Sequence, residues 1–285
     1  MSERVAATRR VALVGLDGSG KSTIMARLRA DTEQRFNDFT CLTCPDFHDT
    51  ADGPMHALSR TMRQFSTCCD QIGSAEMKAL SMYLQMTLYG PVERFFLDTF
   101  TPRVLVCERH PLIETFVYAP LYVLLANTDW DGTAIEPAIR TAMDGLGASQ
   151  FDDVVNWHAA ESRRLGDSVT IWNRFADVAA AVQLDFPTAM AEFSRRYRTT
   201  LPDVVLWLDV PPEQAAQRCR ERSARSERET HETPEFLAFL RTQYEKVRED
   251  VAQTFPQVRF RVIDTSDEAG LDDSLQACLT EGQLL

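Results

Sequence analysis

The stretch Val11-Ala12-Leu13-Val14-Gly15-Leu16-Asp17-Gly18-Ser19-Gly20-Lys21-Ser22-Thr23 decides the fold. Its first four residues form an unbroken apolar run that stops at a glycine, the pattern of a strand buried on both faces of a parallel sheet. Gly15 to Ser22 then fits G-x-x-x-x-G-K-[ST] in full, and Ile24-Met25-Ala26-Arg27-Leu28 continues with helical character. Strand, glycine loop and helix together are the context in which this motif cradles a phosphate chain. The glycines let backbone N–H groups converge on an anion, and the helix N-terminus adds a partial positive charge. Gly15, Asp17, Gly18, Ser19, Gly20, Lys21, Ser22 and Thr23 are therefore the candidate cradle. Lys21 is expected at the β- and γ-phosphates and Ser22 at a Mg²⁺ ion, which makes a nucleoside triphosphate the implied ligand.

Composition narrows the partners. A chain of 285 residues with 44% hydrophobic content can bury a sizeable core, and its length fits one large α/β domain, 1–285, carrying an insertion. A formal net charge of −12 argues against a nucleic-acid backbone as partner, because such sites need a basic footprint. A small anion held by a local group of arginines stays compatible. No long apolar segment precedes the first strand and no later stretch reaches transmembrane length, so no membrane partner and a cytoplasmic location are expected. Seven unevenly spaced cysteines fit reduced thiols, and Cys41-x-x-Cys44, with no second pair, reads as small buried apolar residues.

Further strand-like runs lie at 39–43, 104–107, 204–210 and 258–263, separated by segments of helical pattern. Strands alternating with helices predict a three-layer α/β/α P-loop NTPase fold with a parallel sheet of about five strands and ligands at the strands' C-terminal ends. Met77, Leu80, Leu84, Leu88, Val92, Phe95 and Phe96 have the spacing of one long amphipathic helix over 75–100, bent near Gly90-Pro91. Residues 127–166 read as an insertion between core elements.

The remaining motifs choose among P-loop chemistries. An Asn-Lys-x-Asp guanine signature is impossible, because the lysines are Lys21, Lys78 and Lys246 and none follows an asparagine. The third strand ends in Cys107-Glu108-Arg109-His110, an acid and a base at the mouth where phosphates lie. Glu108 is a candidate for holding Mg²⁺ or accepting a proton, and Arg109 for neutralising charge on the transferring group. After Pro211-Pro212-Glu213, the arginines Arg218, Arg222 and Arg225 recur at i, i+4 and i+7 and so share one helical face.

These motifs, in this order, resemble the thymidylate kinase and deoxynucleoside kinase superfamily. Gly15 to Thr23 looks like the thymidylate kinase P-loop, and the resemblance gives Asp17 a role at the acceptor's sugar 3′-hydroxyl. Glu108-Arg109-His110 is similar to the Glu-Arg-Ser of cellular deoxynucleoside kinases and the Asp-Arg-His of herpesviral thymidine kinases. Gln85 in Tyr83-Leu84-Gln85-Met86 looks like the glutamine that pairs with the base, a task suited to an amide because it offers donor and acceptor together. Residues 211–232 resemble a LID whose arginines close over the triphosphate.

The acceptor is where the chain departs from its relatives. Thymidylate kinases place an arginine beside the proline after the second strand and another in the long helix; here Thr43-Cys44-Pro45-Asp46 and Gln85-Met86-Thr87-Leu88 contain neither, leaving Arg60, Arg63 or Arg94 as substitutes. Deoxynucleoside kinases place a glutamate before that proline, where this chain has Cys44, with Asp46 following instead. The resemblance thus implies ATP and Mg²⁺ as cofactors and a nucleoside or nucleoside monophosphate as partner, with Asp46 or Glu108 as proton acceptor. Nucleosides stand ahead of thymidylate, a non-catalytic ATP-binding regulatory module is the alternative of another class, and a homodimer is expected from the family alone.

Overall fold

The computed structural model describes residues 7–32, 39–127, 130–145, 150–223 and 233–284. In chain order the elements are β1 (Arg9–Gly15), α1 (Lys21–Thr32), β2 (Phe39–Thr43), α2 (His56–Ile72), α3 (Ala75–Met86), α4 (Tyr89–Phe100), β3 (Val104–Glu108), α5 (Pro111–Leu125), α6 (Gly132–Asp144), α7 (Gln150–Leu165), α8 (Arg174–Val182), α9 (Phe186–Tyr197), β4 (Val204–Asp209), α10 (Pro212–Ser223), α11 (Pro234–Thr254), β5 (Arg259–Asp264) and α12 (Leu271–Glu281). The chain divides into two compact units, one drawn from residues 1–44, 93–117 and 200–285 and the other from 45–92 and 118–199.

The first unit is built on a five-stranded sheet in the order β2-β3-β1-β4-β5, with every neighbouring pair parallel. Side chains alternate across it. Val11, Leu13, Val106, Leu206, Leu208 and Ile263 pack on one face against Ile24, Met25 and Leu28 of α1 and Cys278 of α12. From the other face of β4, Trp207 stacks on Tyr244 of α11 with ring centroids 5.6 Å apart. Helices therefore cover both faces, and the fold is the α/β/α P-loop architecture that the strand and helix pattern predicts.

From β1 the chain runs outward to β2 on one side, while β4 and β5 extend the sheet on the other. The switch point lies between β1 and β4, where Gly15 pairs with Leu208, and the crevice beyond the C-terminal ends of these strands is the favoured ligand position. The loop from Gly15 to Gly20 stands there.

The second unit is helical. Its α2 packs against α3, α6 and α7, and residues 130–165 contribute α6 and α7 with Ile139, Met143, Phe151 and Val154 buried. The long helix expected over 75–100 is instead two helices. Thr87 Oγ1 donates 2.6 Å to the Leu84 carbonyl and the break falls at Thr87-Leu88, before Gly90-Pro91. Pro91 then sits in the first turn of α4, where its missing N–H leaves no helical bond unmade.

Buried charge in this unit is matched. Arg174, 1% exposed, donates to Asp167, Asp177, Ser162 and His158, and Arg196 pairs with Asp177 and Glu192. Such matching is required, since an unpaired buried cation costs several kcal/mol. Burial and the adjacent Arg174 lower the His158 pKa to about 4, so this imidazole is neutral at physiological pH. Among the described residues no helix is long and apolar enough to cross a membrane, no cysteine is joined in a disulfide, and all cysteines except Cys41 are buried.

Gly90 tests the packing of the second unit. A Cβ there would lie 2.2 Å from the Tyr197 carbonyl oxygen and 2.7 Å from the Arg198 carbonyl oxygen, both backbone atoms. Gly90→Ala is expected to cost about 1–3 kcal/mol, read as a lower urea midpoint, despite alanine's better helix propensity.

Candidate active site

The phosphate loop holds its shape through close backbone approach. Gly18 has φ +81°, and a Cβ on it would meet the Ala215 carbonyl of α10 at 2.4 Å. Gly15 is equally confined, with the Leu208 carbonyl 2.5 Å from any added Cβ. Glycine is thus required at both positions by contact with β4 and α10, which sequence spacing alone does not reveal.

Lys21 closes the loop on itself. Its Nζ donates to the carbonyls of Gly15 (2.8 Å) and Leu16 (2.7 Å), and the residue is 4% exposed. Burial chiefly, and then the Arg109 guanidinium, lower its pKa to about 8 against the opposing pull of Asp17, Glu114 and Glu108. Next in sequence, Ser22 Oγ donates 2.7 Å to Glu108 Oε1, so the two candidate metal ligands already touch.

Arg109 leaves β3 in the left-handed region at φ +61°, a conformation that costs a non-glycine residue about 1–3 kcal/mol. Its backbone N–H donates 2.9 Å to the Leu13 carbonyl, while its guanidinium bonds Asp17 and, at 2.9 Å, Glu114. Glu114 stands in the first turn of α5, 1% exposed, and its other oxygen accepts 2.8 Å from the Tyr244 hydroxyl.

Asp17, Lys21, Ser22, Glu108 and Arg109 open on a cavity of about 560 Å³. Its walls are the loop from Asp17 to Thr23, Glu108 and Arg109 from the end of β3, Arg218 and Arg222 from α10, and residues 265–274 after β5. Arg218 spans part of that mouth, bonding the Gly18 carbonyl at 3.3 Å and the Asp267 carboxylate. The volume is within the usual range of small-molecule sites.

The residues fit a polyphosphate and a hard divalent cation. Ser19 Oγ is buried without a hydrogen-bond partner among the described residues, Lys21 spends its ammonium on loop carbonyls, and an oxygen donor and a carboxylate already adjoin at Ser22 and Glu108. ATP would lie against the loop amides and Lys21, and Mg²⁺ against Ser22 and Glu108.

Gly15, Asp17, Gly18, Ser19, Gly20, Lys21, Ser22, Thr23, Glu108, Arg109, Arg218 and Arg222 all belong to the first unit. Arg225, the third arginine expected on the LID face, and residues 224–232 of that segment lie outside the described residues. Asp46 and Gln85 belong to the second unit. Asp46 Oδ2 is 3.6 Å from Arg63 Nη1, while its Oδ1 and the Gln85 Nε2 are buried without partners among the described residues. Sequence reasoning missed Glu114, Tyr244 and Asp267. An acid in the first turn after the Glu-Arg-His run was the one local signal, for Glu114.

No family model and no curated protein matches this chain. Among solved structures it is similar to a deoxyadenosine kinase from M. mycoides with the products dCMP and a flexible dCDP bound, at 14% identity, over 97% of this chain and 100% of that one, with a TM-score of 0.49.

The Lys21 environment makes a pH prediction. The unfolded chain keeps this lysine protonated up to its ordinary value of 10.5, whereas the folded protein releases the proton near 8, so ligand-free stability rises with pH between those values. Urea midpoints from about pH 7 to about pH 10 should show this gain in the wild type and lose it in Lys21→Met. An identical rise in both proteins would place the titration elsewhere.

Proposed function

We propose that this chain is an ATP-dependent kinase that transfers the γ-phosphoryl group in line to a deoxynucleoside of thymidine type. The observation that carries the reading is the convergence, in one cavity, of the phosphate loop, the touching Ser22–Glu108 pair and the cations Lys21, Arg109, Arg218 and Arg222. Loop amides and Lys21 bind the phosphates, and Lys21 exchanges its two carbonyl partners for phosphate oxygens. Arg109, Arg218 and Arg222 stabilise charge spread over the transferring group. Bound ATP supplies the phosphoryl group, and Mg²⁺ at Ser22 and Glu108 neutralises part of its charge.

On the acceptor side, Gln85 takes the base and Asp46 or Glu108 the 5′-hydroxyl proton. The unpartnered Gln85 amide and Asp46 oxygen support this, because buried polar atoms are seldom left unbonded unless a ligand completes them. Asp17 orients the sugar.

A second reading, thymidylate kinase, is favoured by Arg63. Its side chain sets a cation 3.6 Å from the carboxylate that follows Pro45, and a monophosphate acceptor needs such a cation. A nucleotide-binding regulatory module without acceptor chemistry is the reading of a different class.

Incubating the protein with ATP, Mg²⁺ and a panel of nucleosides and monophosphates separates the three. The expected result is phosphorylated thymidine, lowered by at least about a hundredfold in Lys21→Ala with the fold intact. Product from thymidylate alone selects the second reading, and ATP binding without any phosphorylated acceptor selects the third.

A further inference from the structure

Three segments distant in sequence, at 15–17, 109–114 and 244, close a ring of polar contacts behind the phosphate loop. The Gly15 N–H donates 3.2 Å to the Tyr244 hydroxyl on α11. That hydroxyl lies 2.8 Å from Glu114 Oε1 and 3.1 Å from the Gly15 carbonyl, the two acceptors between which its single proton is placed. Glu114 Oε2 accepts 2.9 Å from Arg109 Nη1, and Arg109 Nη2 bonds Asp17, two residues along the loop from Gly15. One end of the loop is thereby tied to α11 and α5, and its next turn to the exit of β3.

Two features set this ring apart from ordinary core polarity. Glu114 is 1% exposed and Tyr244 fully buried, yet neither lines the cavity, so they reach a ligand only through Gly15, Asp17 and Arg109. The anchor is also rigid: Tyr244 is clamped by its stack on Trp207, and a buried carboxylate with both oxygens engaged has little freedom to turn. A long arginine side chain has many rotamers, and its bonds to Glu114 and Asp17 are what fix the direction of the guanidinium.

We infer that Glu114 and Tyr244 are positioning residues that hold the phosphate loop and Arg109 in their ligand-binding arrangement before any ligand arrives. The loop half of this inference stands on geometry alone, and the Arg109 half rests on the kinase reading above. Preorganised donors of this kind spare the reorganisation that would otherwise accompany binding and reaction.

The test uses the full-length chain as wild type, Glu114→Gln and Tyr244→Phe, with unfolding midpoints to verify that each is folded. Hydrogen exchange of the ligand-free proteins should show segment 15–22 exchanging about five- to tenfold faster in both variants, with β3 and β4 unchanged. Unchanged exchange in that segment overturns the inference whether or not the protein phosphorylates anything. Should Glu114→Gln not fold, Tyr244→Phe, which deletes one oxygen from a retained ring, decides alone.

For the Arg109 half, Glu114→Gln is expected to lower kcat by about a hundredfold while the ATP KM moves less than about threefold. In an Arg109→Ala background the same substitution should add nothing. Additive losses overturn action through Arg109. A wild type without transfer activity refutes the kinase reading, and the exchange comparison still settles the loop.

Discussion

A lysine ammonium with almost no access to water sits at the centre of the phosphate loop. Moving a cation out of water is costly unless its charge is met by dipoles or counter-ions, and the loop meets it by turning the Gly15 and Leu16 carbonyls onto Nζ. Between those carbonyls and Lys21 the chain passes through Gly18 and Gly20, both at positive φ. The sheet in turn has to deliver β1 and β4 side by side so that the loop has a wall to lean on. The loop's path thus accommodates one charge, while α1 and α12 are placed by the apolar face of the sheet on which they pack.

The same logic explains how a protein of net charge −12 presents an anion site. In the ligand-free state the cations of the crevice are engaged: Lys21 by carbonyls, Arg109 by Asp17 and Glu114, Arg218 by Asp267. A polyphosphate would trade places with the loop carbonyls on Lys21 and with Asp267 on Arg218, while the buried Glu114 stays on Arg109. Binding would then be in part an exchange of partners, whose selectivity comes from matching several cations at once and whose net energy stays modest because the displaced groups must be resolvated or re-paired.

Much of the first unit was legible in the sequence because its signals are local. Val11 to Val14, 39–43, 104–107 and 204–210 are apolar runs too short and too β-branched for helices, and the phosphate loop is a contiguous motif with a mechanism. The break between α3 and α4 was misplaced, since Gly90-Pro91 is the louder sequence signal while the hydroxyl of Thr87 makes the actual stop. Glu114 and Tyr244 were not legible, for the contact between Tyr244 and Gly15 joins residues 229 positions apart and leaves no trace in either neighbourhood. Asp46 was singled out as a carboxylate near a proline, but its pairing with Arg63 depends on how α2 packs, which periodicity does not encode.

The contact between Gly18 and Ala215 binds the cradle to the helix that carries Arg218 and Arg222. With no side chain between them, a shift of α10 by even the width of a methyl group pushes directly on the turn that faces the anion. Transplanting the nine-residue motif into another scaffold would therefore deliver only half of the device, because the loop's curvature is moulded by a helix encoded some two hundred positions later. Added bulk is accordingly better accommodated on the solvent side of α10 than on the side where Ala215 abuts the loop.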